Sequence, residues 1–122
     1  MSNSGNNHKI NYIEFVSTDI KRSKRFYSAV FGWSFEEWGP DYISFNTSGA
    51  GIDGGFSLGE APARGGEAGS PLVVLYAADL AATEEAIIAE RGTITVPVFD
   101  FPGGRRFHFA DHAGNVLGVW SE

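Results

Sequence analysis

The sequence lacks cysteine altogether, which excludes disulfide bonds and thiol nucleophiles. It also lacks any run of 18 or more apolar residues, so we expect no membrane-spanning helix. Basic residues are scarce: the net charge of −6 argues against a nucleic-acid partner, which requires a basic face. Residues 1–9 lack an apolar stretch and are expected to be a disordered leader rather than a signal peptide. The simplest expectation is a soluble, cytoplasmic protein.

The chain does contain an internal repeat. An apolar stretch ends in Asp19 and is followed by an amphipathic stretch that ends at Gly32. Sixty residues later the same order recurs with Asp79 and Gly92. Thirteen residues separate the aspartate from the glycine in both copies, which indicates a duplicated module. A duplicated module commonly has its ligand site between the two copies.

Each copy is predicted to form one strand, one helix and three further strands. In the first copy the strands are expected at 10–18, 33–38, 42–46 and 55–58, and the helix at 20–31. In the second copy the strands are expected at about 71–77, 93–99, 105–110 and 116–121, and the helix from Asp79 to about Arg91. Asp19 and Asp79 are good N-caps, and Gly32 suits the left-handed position that ends a helix. Pro97 indicates an edge strand or a bulge.

These elements predict one domain over residues 10–122. Module one covers residues 10–58, a Gly/Ala/Pro-rich linker covers 59–70, and module two covers 71–121. Two glycine pairs, Gly54-Gly55 and Gly103-Gly104, do not open a helix, so we interpret them as turns or bulges that lead into strands.

The order of elements resembles the vicinal oxygen chelate superfamily over residues 10–121. The resemblance depends on Asp19-Ile20, on the segment from Arg25 to Trp33, and on the segment from Phe107 to Asn115. Members of this superfamily include glyoxalase I, extradiol dioxygenases, and the fosfomycin and bleomycin resistance proteins. The resemblance implies an α+β fold in which two tandem βαβββ modules form a curled mixed sheet around a cavity.

The resemblance also identifies the positions of a metal site. Catalytic members hold a divalent metal on His, Glu or Gln side chains from the first and last strands of each module. The matching positions here are Tyr12, Leu58, Leu72 and Gly118. Only the tyrosine has a donor atom in its side chain, whereas a divalent ion needs three or four ligands, so we predict no metal and no other cofactor. An atypical site on Glu14 and His108 stays open as an alternative.

Five residues are the candidates for ligand binding: Tyr12, Glu14, Arg106, His108 and Trp120. Strand alternation puts Tyr12 and Glu14 on one face of the first strand, and Arg106 and His108 on one face of the seventh. By the resemblance, the positions of Glu14, Arg106 and His108 face the cavity. Glu14 and His108 are the candidate catalytic residues, because either could move a proton. Trp120 is a candidate wall for a planar ligand.

Structural roles are the alternative for the same residues. Glu14 and Arg106 could form a buried ion pair, and His108 could be a core histidine that bonds a backbone carbonyl. Trp33, Trp38 and Tyr76 could line a pocket or pack in a core or interface. His112 is expected to be solvated in a turn.

The function that fits these observations is small-molecule binding by a metal-free relative of the glyoxalases and bleomycin resistance proteins. The negative net charge mildly favours a cationic ligand. The alternative is a lyase or isomerase of the glyoxalase type. Exposed sheet edges predict a homodimer, and the resemblance implies the same, because members of the family commonly dimerise.

Overall fold

The structure, a computed structural model, describes residues 4–60 and 64–122. The strands are β1 (Tyr12–Ser17), β2 (Glu36–Glu37), β3 (Tyr42–Phe45), β4 (Asp53–Leu58), β5 (Val73–Tyr76), β6 (Thr93–Phe101), β7 (Gly104–Ala110) and β8 (Val116–Ser121). The helices are α1 (Ile20–Phe31), α2 (Thr47–Ala50) and α3 (Leu80–Ala89), and a 3-10 turn covers Ser4–Asn6. The predicted βαβββ order is confirmed in both modules, and the short helix α2 is an addition that the sequence did not predict.

The strands form two four-stranded mixed sheets with the same topology. The order is β1-β4-β3-β2 in module one and β5-β8-β7-β6 in module two. In each sheet the first strand of the module runs parallel to the last, and the remaining pairs are antiparallel. The α+β class and the duplication are therefore confirmed, although the sheets are separate and do not close.

The two long helices begin in the same way and end differently. The side chains of Asp19 and Asp79 each accept a hydrogen bond from a backbone N–H in the first turn of the following helix, as predicted. Gly32 ends α1 in the left-handed conformation at φ 74°. After α3 the left-handed residue is Arg91, at φ 69°, and not Gly92. Gly92 instead allows a close approach, because an added Cβ would lie 2.6 Å from Cγ2 of Ile87.

Helix α1 contributes to the core of both modules. The ring of Tyr27 lies 4.9 Å from that of Phe56 on β4, and the ring of Phe26 lies 5.9 Å from that of Phe109 on β7. The Tyr27 hydroxyl donates a hydrogen bond of 2.8 Å to Asp111, in the turn between β7 and β8. The two modules consequently share one continuous, largely aromatic core.

Several predicted boundaries move because core packing overrides local pattern. The strand expected at 33–38 shrinks to Glu36–Glu37, because Trp33 is buried in the core. Gly54 and Gly55 lie inside β4 rather than in a turn. Pro97 lies in β6, an edge strand with register shifts between Val96 and Phe99, as predicted. Residues 1–3 of the expected leader and 61–63 of the expected linker lie outside the described residues.

Candidate functional site

Each sheet has a second face that lies away from the shared core. The module-one face is formed by Tyr12, Glu14, Val16, Tyr42 and Ser44. The module-two face is formed by Tyr76, Phe99, Phe101, Arg106, His108 and Trp120. Strand alternation produces both faces, since the intervening residues Phe15, Ile43, Phe107 and Phe109 are buried in the core.

The module-one face presents a hydrogen-bonded carboxylate. Tyr42 donates from its hydroxyl to Oε1 of Glu14 at 2.9 Å, and the hydroxyls of Tyr12 and Tyr42 bond to each other. Burial raises the pKa of Tyr42 well above its usual value, and its hydrogen bonds with Tyr12 and Glu14 raise that pKa further. Tyr42 therefore stays protonated at neutral pH and fixes the position of the Glu14 carboxylate.

The module-two face presents a cation among aromatic rings. The guanidinium carbon of Arg106 lies 5.1 Å from the ring centroid of Phe99 and 5.4 Å from that of Phe101. The ring of Trp120 contacts those of Tyr76 and Phe101 edge-on, at 5.1 and 6.2 Å. Within the described residues Arg106 forms no ion pair, and its Nε is buried without a hydrogen-bond partner.

His108 lies beside Arg106 on β7 and is also unsatisfied. Its ring packs edge-on against Phe99 at 5.8 Å, and its Nε2 is buried without a partner. Burial lowers the pKa of His108 below its ordinary value, and the charge of Arg106 lowers that pKa further, so the imidazole is neutral at pH 7. No backbone carbonyl among the described residues bonds this ring, so the alternative role as a satisfied core histidine is wrong.

The structure divides the five predicted ligand-binding residues between the two faces. Tyr12 and Glu14 belong to module one, whereas Arg106, His108 and Trp120 belong to module two. No hydrogen bond, ion pair or ring contact joins the two groups within the described part of the chain, and the hypothetical ion pair between Glu14 and Arg106 does not form there. One copy of the chain therefore presents the candidate residues as two separate groups.

Strand register revises the positions that correspond to the metal site of the family. Gly118 pairs with Val74, which is the counterpart of Glu14 in the repeat, and Glu14 pairs with Gly55. The counterpart of Gly118 is therefore Gly55, and the alignment with Leu58 by a constant offset was wrong. Leu58 pairs instead with Ser17.

Large side chains occupy the space beside both of these glycines. A Cβ added at Gly55 would lie 2.6 Å from Cζ of Tyr42, and one added at Gly118 would lie 3.4 Å from Cδ2 of His108. Leu72 has no donor atom, which leaves Tyr12 as the one donor among the four positions. These residues do not fit a divalent metal at the family's position. Nor do any three His, Asp or Glu side chains of residues 4–60 and 64–122 cluster in a way that could hold one.

The other residues that the sequence analysis singled out, Trp33, Trp38 and His112, have structural roles. Trp33 is buried in the core, and exposed Trp38 donates to Ser44 at 2.9 Å. His112 is half-buried rather than solvated, and its Nε2 lies 3.3 Å from Oγ of Ser23.

A cleft of about 370 Å³ between β1 and β5 is lined mostly by apolar residues and includes Tyr76, but not Glu14, Arg106 or His108.

Tyr42 is the site residue that sequence reasoning missed. It was assigned to a strand, and alternation would have put it on the same face as Ser44. Its contact with Glu14 crosses from β3 to β1 over Gly55, because β4 lies between these strands. The glycine at the centre of a buried strand was the available signal, since it often marks a close approach of another group.

The chain belongs to the Glyoxalase/Bleomycin resistance protein/Dioxygenase superfamily, whose family model matches residues 9–119. It is 25% identical over 118 residues to a curated protein named "Putative glyoxylase CFP32", from Mycobacterium tuberculosis and Mycobacterium bovis. That match covers 90% of this chain and 44% of the mycobacterial protein, so the chain spans less than half the length of these relatives.

Solved structures share the fold at lower sequence identity. A glyoxalase-related enzyme from Fulvimarina pelagi superposes with a TM-score of 0.75 at 22% identity, over 94% of this chain and 88% of the other. The fosfomycin resistance protein FosX from Listeria monocytogenes gives 0.76 at 14% identity, over 93% and 92% of the two chains. A variant of that FosX was solved with Mn(II) and 1S,2S-dihydroxypropylphosphonic acid. No helix in the described part of this chain has the length and apolar character needed to cross a membrane.

Proposed function

We propose that this protein binds a small molecule in the cytoplasm, in a cup that combines its module-one and module-two faces and does without the metal of its catalytic relatives. The observation that supports this proposal is the pair of glycines, Gly55 and Gly118, at the last-strand ligand positions. Tyr42 fills the space next to Gly55. The side chains of His108 and Val74 are the nearest to Gly118, each 3.4 Å from an added Cβ. The cup would therefore recognise its ligand through hydrogen bonds and aromatic contacts rather than through a metal.

We further propose that a second copy of the chain completes the cup. Both faces expose apolar surface: Tyr12 is 46% exposed and Tyr76 is 51% exposed. The faces also carry opposite charges, Glu14 on one and Arg106 on the other, which attract each other across the cup without a direct ion pair. A twofold-symmetric dimer that lays each module-one face on the module-two face of its partner would form two identical cups.

Light scattering at micromolar concentration tests the dimer. We expect twice the chain mass of 13.2 kDa. Val74→Glu, on strand β5 of module two, should yield monomers, because it buries a charge in the interface. Ile88→Glu is the control, since Ile88 is also an exposed aliphatic residue, 57% exposed against 40% for Val74, but lies on α3 away from both faces. A native protein that scatters as a monomer, or an equal effect of both variants, would refute the arrangement.

Metal analysis tests the independence from metal. Protein purified without a His-tag, incubated with Mn²⁺, Ni²⁺ or Zn²⁺ and dialysed, should retain far less than one ion per chain by mass spectrometry. FosX from Listeria monocytogenes, treated in parallel, is the positive control. Stoichiometric metal in this protein would overturn the proposal as stated.

A ligand screen followed by one substitution tests the binding role. Metabolites and antibiotics that raise the melting temperature bind the native state. For such a compound that carries a hydrogen-bond donor, Glu14→Gln should weaken binding by roughly tenfold, because it removes a charged acceptor. Glu36→Gln, an exposed substitution at the far strand of the same sheet, is the control. Unchanged affinity of the Glu14 variant by calorimetry would place Glu14 outside the binding site.

The second candidate function is a metal-free lyase or isomerase of the glyoxalase type. The hydrogen bonds among Tyr12, Tyr42 and Glu14 favour it, because they hold a carboxylate in place to act as a general base. Solvent-deuterium incorporation into adducts of 2-oxoaldehydes and thiols would reveal such proton abstraction. The activity should disappear in Glu14→Gln and persist in Glu36→Gln, and no incorporation by the native dimer would exclude this function.

A further inference from the structure

The module-two face contains an unusual concentration of unsatisfied polar atoms. Three buried side-chain nitrogen or oxygen atoms of the described residues have no hydrogen-bond partner, and two of them are Nε of Arg106 and Nε2 of His108. These residues are two apart on β7 and share one face. A buried polar atom without a partner costs about 1–3 kcal/mol, so two neighbouring ones suggest that an acceptor is missing from the isolated chain.

The way in which Arg106 packs identifies the kind of acceptor. The guanidinium lies near the rings of Phe99 and Phe101, with which it makes cation–π contacts. Cation–π contacts use the flat face of a guanidinium, whereas its N–H edge is the part that pairs bidentately with a carboxylate. A residue needed only for packing at this place would be apolar, because an unpaired charge destabilises a partly buried site.

The charge of Arg106 and the aromatic rings around it narrow the class of ligand further. Among residues 4–60 and 64–122, Arg106 is the one cation of this face, and His108 beside it is neutral, so Arg106 balances a single negative charge and not a dianion. The net charge of −6 also repels a dianion. The rings of Phe101 and Trp120 lie next to Arg106, and Tyr76 contacts Trp120 on its other side, so the three rings offer an apolar surface to a flat ligand.

From this geometry we infer that the ligand is an aromatic monocarboxylate, whose carboxylate bonds Arg106 and His108 and whose ring packs on Tyr76 and Trp120. This inference rests on the proposed binding cup and specifies what the cup takes. It reverses the weak preference for a cationic ligand that the overall charge gave, because Arg106 is unpaired, whereas the one carboxylate that the described residues bring to this face, that of Glu122, is at the Tyr76 end and accepts a hydrogen bond from the Tyr76 hydroxyl. The competing acceptor is Glu14 of a second copy of the chain.

Calorimetry with matched pairs of compounds tests the inference. Benzoate, phenylacetate and indole-3-acetate are compared with the corresponding amides, which have the same shape and no charge. We expect at least one carboxylate to bind roughly tenfold or more tightly than its amide, since charge-assisted hydrogen bonds are the stronger ones. Equal affinities within each pair, or binding of the amides alone, would overturn the inference.

Two adjacent arginines provide the mutational control. Arg106→Gln should weaken carboxylate binding by about tenfold or more and leave amide binding unchanged. Arg105→Gln, next to it on the opposite and exposed side of β7, should leave both unchanged. Arg106→Lys keeps the charge but loses the bidentate edge, so an intermediate loss is expected. Equal effects at both positions would refute a specific contact with Arg106.

Two further measurements decide whether the acceptor for Arg106 is the carboxylate of a ligand or Glu14 of a second copy of the chain. If the ligand is the acceptor, Arg106→Gln without ligand should melt no lower than the native chain, and Glu14→Gln should leave the dimer intact. If both substitutions lower the melting temperature and dissociate the dimer, the two residues pair across the interface and the inference fails. A screen in which only uncharged or cationic compounds bind would overturn the inference but not the proposed function, whereas no binding by any compound would overturn both.

Discussion

The two modules share one backbone plan, but their exposed faces differ in chemistry. The strand order, the parallel pairing of first and last strands and the capping aspartates are the same in both. The module-one face presents a carboxylate held by two tyrosines, whereas the module-two face presents an arginine and a neutral histidine among aromatic rings. Core positions are constrained by packing after a duplication, but exposed positions can diverge, and here they have diverged towards complementary charge.

The connection that precedes the last strand differs most between the two modules. Substitutions in these connections should have the largest effect on stability. In module two Asp111 is buried and accepts hydrogen bonds from Tyr27, Ala113 and Asn115. Asp111→Ala should lower the free energy of unfolding by about 2–4 kcal/mol, because it leaves buried donors unsatisfied. In module one Asn46→Ala removes an exposed cap and should cost only about 1 kcal/mol.

Urea denaturation of the two variants measures this difference. Because Tyr27 of α1 bonds Asp111 of module two, the loss should affect the whole domain, and both variants should unfold in one transition. Two separate transitions in Asp111→Ala would mean that the modules are less coupled than the shared core indicates. Equal losses in the two variants would contradict the contrast between the connections.

The two equivalent glycines should differ in their tolerance of a methyl group. Gly55→Ala should destabilise by about 1–3 kcal/mol, because its Cβ would lie 2.7 Å from the backbone oxygen of Ile43 and would also displace Tyr42. Gly118→Ala should stay within about 0.5 kcal/mol of the native chain, because its nearest contacts are 3.4 Å or more away. Thermal unfolding compares them, and a larger loss for Gly118→Ala would reverse this assignment.

The helix ends offer an effect of opposite sign in the two modules. Gly32→Ala puts a side chain on a left-handed residue and should cost about 1 kcal/mol. Arg91→Gly removes a side chain from the same conformation and should stabilise by roughly 0.5–1 kcal/mol. Chemical denaturation should therefore move the two midpoints in opposite directions. If Arg91→Gly destabilises, the Arg91 side chain makes a contact that outweighs its backbone cost.

Mild acid should have the smallest effect on stability, and that effect should come from the module-two face. The pKa of His108 is lower in the folded chain than its ordinary value of 6.5, so protonation favours the unfolded state. Stability should fall as the pH drops below 6.5, and His108→Gln should lose less over this range. The groups that face the ring are Arg106, Phe99 and Gly118. Identical melting profiles of the two proteins between pH 7.5 and about pH 5 would show that His108 does not contribute.

Local signals in the sequence predicted most of the fold. The aspartate caps, the helical spacing of apolar residues and the alternation in β1 and β7 gave the right elements, because these patterns depend on neighbours a few residues away. The second strand was overestimated, because an aromatic run is compatible with a strand or with core packing. Arg91 was missed as the left-handed residue, because the matching glycine sits one position later in the sequence.

The strand alternation at the candidate site was predicted in part. Tyr12 shares a face with Glu14, and Arg106 shares one with His108, as predicted, but Tyr42 was overlooked and Leu58 was aligned wrongly. That these residues bind a ligand stays a prediction. A constant offset between the repeats cannot detect that the last strands are shifted by three residues. That shift follows from the ladder between β1 and β4, which pairs residues about forty positions apart.

The sequence by itself determined the duplicated βαβββ plan and the alternation that exposes these side chains, because both follow from local periodicity and capping. The tertiary structure alone decided that Tyr42 fills the space beside Gly55, that His108 packs beside Gly118, and that Arg106 lies without an ion pair near two phenylalanine rings. Those contacts join residues from different strands, and strand register, which long-range packing sets, fixes which residues meet.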